Sequence, residues 1–321
     1  MKKNIQNMYH SLGATICAGT LLLTGLSVSA QNMFVGSYGN HDVEEFPSGS
    51  STPSSFAPVN FANDIAFDAS GDMFVADQFN GIIDEYANHG GTLSPTATTF
   101  ASGVTDVKAL AFDTSGNLFA ASDITDDIYK FTPGGSESTF ATGLNAPQAL
   151  AFNNAGILFV GNVGNNSAGA GSITKITAGG TQSLFLSGLT NPDGLAFNAV
   201  GNLFVSEPNV TESGSVIEIT PGGNQSLVGT GFNQPAGLAF DGSGDLFVAD
   251  QGLNSENGDI TEIMANGTRS VFSTDVPKPL SIAFEGLALP VPEPSIWALM
   301  MTGAAGLFLY RLRFNKSKAQ A

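Results

Sequence analysis

The sequence predicts an all-β fold, a six-bladed β-propeller, on three observations. An Ala-Phe pair closes a short apolar run six times, its Phe at 67, 112, 152, 197, 240 and 284, with spacings of 45, 40, 45, 43 and 44 residues. Seven residues after each of the first five stands another Phe, at 74, 119, 159, 204 and 247, and Phe34 joins that column. A third column precedes the first and holds Phe56, Phe100, Phe140, Phe185, Val228 and Phe272. The columns use 17 of the 24 Phe, which makes them core positions of a repeated unit. A period of roughly 40–45 residues built from short β-rich runs is that of a propeller blade.

The unit spanning residues 194–228 shows each element in turn. A first strand, Gly194-Leu195-Ala196-Phe197, leads through the Gly-containing turn Ala199-Val200-Gly201-Asn202 into a second, Leu203-Phe204-Val205-Ser206. A loop of variable length follows, then a third strand over Val216 to Thr220, a Pro221-Gly222-Gly223 turn and a fourth strand, Ser226 to Val228. Runs of this kind bounded by Gly, Pro, Asn and Asp are hairpin-linked strands. Helical solenoids of similar period are excluded by the Gly and Pro inside every unit, and a linear β-solenoid is the alternative architecture. The ends of the array favour the ring. The first copy, at Phe34, lacks an inner strand, and the last Ala-Phe, Ala283-Phe284, has no blade after it. Leu280 to Phe284 is therefore expected to complete the blade begun at Met33, which removes the free sheet edges that invite aggregation.

The two ends read as addresses. Residues 1–30 carry a basic start, Lys2-Lys3, an apolar Leu12 to Val28 and small residues up to Ala30, the order of a signal peptide; an N-terminal membrane anchor is the alternative. Cys17, the single cysteine, lies inside this segment, so the mature chain is expected to be free of disulfides. At the other end, residues 289–321 run through Pro292, Glu293 and Pro294 into the apolar stretch 296–310 and the basic residues Arg311, Arg313, Lys316 and Lys318. As a helix that stretch is roughly 22 Å long, a short single transmembrane span whose basic flank faces the cytoplasm. Motif, span and basic end together resemble the PEP-CTERM sorting signal of Gram-negative bacteria, and an ordinary single-span anchor is the alternative. The resemblance implies export across the inner membrane, processing by an exosortase-type protease and a final place at the cell surface or outside the cell.

Three domains follow: a signal peptide over 1–30, a propeller over 31–288 and a sorting signal over 289–321. Within the propeller, Phe74-Val75-Ala76-Asp77 and Phe247-Val248-Ala249-Asp250, each preceded by an Ala-Phe-Asp strand and a Gly turn, resemble NHL-repeat blades. The broader group includes gluconolactonase and streptogramin-lyase propellers. The arginine usual near the third strand of NHL blades is absent, so no basic RNA-binding surface is implied. The gluconolactonase resemblance implies a divalent metal at the mouth of the central channel, held by Glu, Asn and Asp. The matching positions, four before each first-column Phe, are Asn63, Lys108, Gln148, Asp193, Ala236 and Leu280. Asn63 and Asp193 are the candidate metal ligands, with Ca²⁺ the cation such oxygens would take; Lys108 and Gln148 share the mouth. Lys108 could instead pair with Asp193 and replace the metal's charge. No catalytic residue is assigned. Of the three His, only His41 and His89 follow the signal peptide, and neither falls in a channel position.

The six copies also differ from one another unevenly. The turns after the first and third strands barely vary, whereas from second-column Phe to third-column residue the copies run 22, 26, 21, 26, 24 and 25 residues. Those variable loops share one face, where a rigid scaffold carries specificity. They hold Asp77, Asp123, Asp126, Asp127, Glu207, Glu212, Asp250, Glu256 and Asp259, which read as Ca²⁺ donors or as aspartates capping turns. The formal charge of the whole chain is −17. Residues 31–290 contain 27 acids against five bases, a balance of −22, so the basicity belongs to the ends. Nucleic-acid binding is excluded for want of clustered cations. The expected function is that of an exported cell-surface or extracellular-matrix propeller, a non-catalytic binding or structural module whose partners include an exopolysaccharide or a surface protein. A metal-dependent lactonase or hydrolase at the channel mouth is the alternative.

Overall fold

The computed structural model describes residues 31–286 apart from 165–166, 168, 209–212 and 253–257. The signal-peptide and sorting-signal readings, with Pro292, Glu293, Pro294 and the 296–310 span, lie outside the described residues, as do Glu212 and Glu256.

The described chain forms six four-stranded antiparallel sheets set around a central channel. Blade 1 contains β1 (Met33–Ser37), β2 (Asp42–Phe46) and β3 (Ser54–Pro58). Blade 2 follows as β4 (Ala62–Phe67), β5 (Met73–Asp77), β6 (Ile82–Tyr86) and β7 (Thr98–Ser102). Blade 3 is β8 (Val107–Phe112), β9 (Leu118–Ser122), β10 (Asp127–Phe131) and β11 (Glu137–Ala141). Blade 4 is β12 (Pro147–Phe152), β13 (Leu158–Asn162), β14 (Gly171–Ile176) and β15 (Gln182–Leu189). In blade 5 come β16 (Gly194–Phe197), β17 (Leu203–Glu207), β18 (Gly214–Ile219) and β19 (Gln225–Phe232). Blade 6 is β20 (Pro235–Phe240), β21 (Leu246–Asp250), β22 (Gly258–Ile263) and β23 (Arg269–Val276), and β24 (Pro279–Phe284) ends the array. β24 pairs with β1, Met33 opposite Phe284 and Val35 opposite Ile282, so the ring closes by the expected union of its two ends. The closed ring lies wholly within residues 31–286.

The Phe columns pack both within a blade and across the seam to the next. Phe74 of β5 meets Phe100 of its own blade and Phe112 of the next, both with ring centroids 5.0 Å away and nearly edge to face. Phe34, Phe119, Phe159 and Phe247 repeat the arrangement with their own partners. Such pairs each add about 0.5–1.5 kcal/mol beyond burial, and one apolar cluster fills each of the six seams. Blade 5 departs from the pattern: Val228 stands in the third column, and Phe204 keeps only the ring of Phe240.

The antiparallel meander sorts the connections onto two faces. Turns after the first and third strands lie on one, called lower here. Loops after the second strand and links to the next blade lie on the other, the upper. The lower turns after the first strands are nearly copies of one another, but those after the third strands are not as uniform as expected, with longer connections over residues 47–53 in blade 1 and 87–97 in blade 2. Asp68, Asp113, Asn153 and Asp241 each accept amide hydrogen bonds from the residues two and four ahead, at 2.8–3.0 Å, and a left-handed Gly completes the turn. On the upper face, Asp106, Ala146, Asn191, Gln234 and Lys278 all adopt positive φ just before an inner strand. Each turns the chain from the rim of one blade into the channel wall of the next.

Candidate functional site

Inner strands start at the upper face, so the first residues of β4, β8, β12, β20 and β24, with Asp193 just before β16, surround the channel mouth. The mouth opens on a cavity of about 190 Å³ lined by Asn63, Lys108, Gln148, Asp193, Ala236 and Leu280 together. All six positions assigned to the channel from sequence therefore face one space. Asp64 lines it too, and the reading by column had passed over it. In the other five copies this position holds Ala109, Ala149, Gly194, Gly237 or Ser281, so a lone carboxylate among small residues was the available clue. The smallness has a cause. A Cβ on Gly194 would lie 2.1 Å from the carbonyl oxygen of Ala236 on the neighbouring blade.

Asp64 is held by the backbone. One oxygen accepts the amide of Ile65 at 2.9 Å and the other that of Leu110 on β8 at 2.7 Å, which straps blade 2 to blade 3. Burial pushes its carboxyl up to about 7, against those two hydrogen bonds, and the charge of Asp193 adds to the rise. Asp193 is pushed up to about 6 by burial, with the Lys108 ammonium opposing. Two carboxyls in one narrow channel thus titrate near neutrality.

The pairing of Lys108 differs from expectation. Its ammonium bridges Asp106 at 3.4 Å and Asp123 at 3.6 Å, both on the upper rim, and makes no ion pair with Asp193. The reason is proximity: Asp106 lies two residues away on the same link, and Asp123 begins the loop after β9 of the same blade. Asp193 belongs two blades on. Gln78 donates to Asp106, and Gln148 donates to Asp123 at 3.4 Å. Asp123 is pushed up to about 6 by burial and by the hydrogen bond it shares with Asp106. Burial also works against the charge of Asp106, but that shared bond, Lys108 and Gln78 together hold its carboxyl below the usual carboxylate range.

The donor set does not fit a resident divalent cation. Both Asp64 oxygens are occupied by backbone amides, Asn63 donates its amide to the Lys108 carbonyl at 2.8 Å, and Lys108 places positive charge at the mouth. Ala236 and Leu280 bring no side-chain oxygen. Among the described residues no three His, Cys, Asp or Glu side chains are arranged to hold a metal ion. The upper-face acids behave largely as caps. Asp77 accepts from Asn80 at 3.1 Å, Asp126 from Ala146 at 2.8 Å, Glu207 from Thr190 at 2.8 Å and Asp250 from Asn233 at 2.7 Å. Of the two His, His41 sits on the rim against the Asn60 carbonyl, and His89 lies in the lower connection between β6 and β7. Neither lines the channel cavity. The mouth presents the polar groups of Asn63, Asp64, Lys108, Gln148, Asp193 and Ser281 to one space.

No protein-family model matches the chain, and no curated protein is detectably similar to it in sequence. Solved structures are similar in fold. A chain of the nidogen/laminin complex superposes with a TM-score of 0.66 at 16% identity, covering 79% of this chain and 98% of that one. Regucalcin, a calcium-binding protein from Agrobacterium tumefaciens, gives 0.56 at 18% identity over 68% of this chain and 76% of its own. A provisionally assigned gluconolactonase gives 0.53 at 16% identity over 70% and 87%. These likenesses agree with the propeller fold seen in the strand pairing. At such identities they carry the fold alone.

Proposed function

We propose that this chain is an exported propeller, displayed at the cell surface or in the extracellular matrix, that serves as a binding module without catalysis of its own. The observation that carries the reading is the chemistry of the upper face: the turns after the first strands repeat one pattern on the lower face, whereas the upper loops run from four residues in blades 1, 2 and 3 to eight in blade 4 and differ in their side chains. Specificity is placed on such loops when the scaffold beneath them is rigid. The likeness to a chain solved within a protein complex supports a partner-binding use of this fold. Pro292, Glu293 and Pro294, with the apolar and basic residues after them, would direct the chain to an exosortase-type protease. A surface protein or an exopolysaccharide would be the partner at its destination. The lactonase alternative at Asn63 and Asp193 has the fold likeness behind it and the donor set against it.

The test has two parts. External protease added to intact cells expressing the full chain should cleave it, and purified residues 31–286 should rebind saturably to cells lacking the chain. A chain that stays protected inside intact cells, or a lactone hydrolysis lost on Asp193→Ala, would overturn the proposal.

A further inference from the structure

We infer that an aromatic ridge on the upper rim of blades 1 and 2, formed by Tyr38, Phe61 and Phe79, docks a protein segment that presents an apolar side chain flanked by lysine or arginine. The inference rests on the surface-binding reading above and names its contact patch and the chemistry of its partner.

The three rings touch one another in series. Tyr38 and Phe61 have centroids 4.6 Å apart with planes at 44°, and Phe61 and Phe79 are 5.1 Å apart at 82°. Phe79 is 62% exposed and Tyr38 38% exposed. None of the three belongs to the six apolar clusters that fill the seams between blades. Comparison of the copies shows that the fold does not require them. Where blade 2 has Phe61, the other copies have Asp106, Ala146, Asn191, Gln234 and Lys278. Where blade 1 has Tyr38, the others have Gln78, Asp123, Val163, Pro208 and Gln251. At the position of Phe79, four of the others are Gly39, Ile124, Gly164 and Gly252, of which Ile124 is also an exposed apolar side chain, at 66%. Three separate columns thus turn aromatic where they converge in space, with Phe61 half-buried between the exposed rings of Tyr38 and Phe79. Contiguous exposed aromatic surface of this kind marks an interface.

Ring geometry and charge select the partner. Phe79 stands edge to face on Phe61 and Tyr38 is tilted by 44° from it, so the three rings share no plane and form a notched surface, not the flat strip on which a sugar ring would stack; notches suit an inserted apolar side chain. Acids bound the ridge. Asp106 accepts the side-chain hydrogen bond of Gln78, next to Phe79. On the other flank the exposed Asp275 lies two residues before Pro277, whose carbonyl accepts the Gly39 amide at 3.0 Å. Two cations lie near the ridge: Lys108, which pairs with Asp106 at 3.4 Å, and Lys278, 5.5 Å from the Tyr38 ring centre. With 27 acids against five bases over residues 31–290, charge complementarity asks for a basic segment.

The experiment uses residues 31–286 and three probes: a labelled peptide of alternating lysine and leucine, its glutamate–leucine counterpart, and dextran. The lysine–leucine peptide should bind saturably, more weakly as salt rises. Its affinity should fall roughly tenfold or more in Phe79→Ser and in Tyr38→Ser. It should be unchanged in Val200→Ser, which removes an exposed lower-face side chain. The glutamate–leucine peptide should not bind, and dextran should not compete. Phe79 lies outside the core, so its replacement leaves folding intact, and an unchanged melting curve verifies this. Equal binding by Phe79→Ser, Tyr38→Ser and the parent protein overturns the inference, as does displacement of the peptide from the ridge by dextran, which would make the patch a polysaccharide site. If the parent protein rebinds cells but Phe79→Ser rebinds equally well, the ridge fails while the surface-binding reading stands.

Discussion

Asp64 places a carboxylate where five other copies carry only Ala, Gly or Ser, and the backbone amides of Ile65 and Leu110 hold it there. Its stabilising role depends on pH in an unusual direction. An unfolded aspartate ionises near 4, whereas folded Asp64 and Asp193 are raised to about 7 and about 6. Between those values the folded protein binds more protons than the unfolded chain, so stability falls as pH rises through about 4 to 7 and levels off above. Denaturant unfolding at pH 5 and pH 8 should show the protein less stable at pH 8. In Asp64→Asn that difference should shrink by on the order of 1–2 kcal/mol. An unchanged difference would mean that Asp64 is ionised throughout. At this scale the sequence was only partly legible. Asn63, Lys108, Gln148 and Asp193 were found because one column of the repeat leads into the channel. Asp64 was missed because it lies one position off that column. The partners of Lys108 were missed because they come from neighbouring links of its own rim, which no spacing rule connects. Tyr38, Phe61 and Phe79 were hidden for a related reason: the Phe columns announce packing, and rings outside the columns look like noise.

Strands and blades were far more legible, because each seam demands the same rings at the same places. Blade 5 shows how firm that demand is. It has Val228 where five copies have Phe, and it has Phe232, fully buried, where the matching positions of blades 4 and 6 are Leu189 and Val276. The ring of Phe232 reaches back along β19, so that a Cβ on Gly229 would sit 3.3 Å from it. Volume lost at one position is thus returned four residues later. Val228→Phe alone should overpack this seam and cost about 1–3 kcal/mol, and Val228→Phe combined with Phe232→Leu should recover most of the loss, a coupling that a double-mutant cycle measures. Strictly additive effects would show that the two side chains do not share a space. The outer strands were read too short. Ser226 to Val228 was expected for the fourth strand of blade 5, but β19 runs over Gln225–Phe232 past a bulge between Val216 and Ile217. Bulges shift the side-chain alternation by one, so periodicity breaks where the strand continues.

For the molecule as a whole, ring closure through β24 and β1 followed from counting half-units at the two ends of the repeat, and the structure pairs those strands in register from Met33 to Gly36. The constancy of the turns after the first strands followed from comparing copies with one another, and their hydrogen bonds explain it: a turn closed by its own Asp or Asn and a left-handed Gly tolerates little change, whereas the connections 47–53 and 87–97 on the same face depart from the expected uniformity. Side chains that the fold does not need, Tyr38, Phe61 and Phe79 among them, lie on the upper side, and the proposed binding is placed there for that reason. Hydroxyl-radical footprinting of residues 31–286, free and bound to the cell envelope, tests this most directly. Protection should fall on the upper face, at Tyr38, Phe61, Phe79 and Ile124, with lower-face residues such as Val200 labelled equally in both states. Protection confined to the lower turns, or none on either face, would contradict the assignment of the upper face as the surface through which this propeller works.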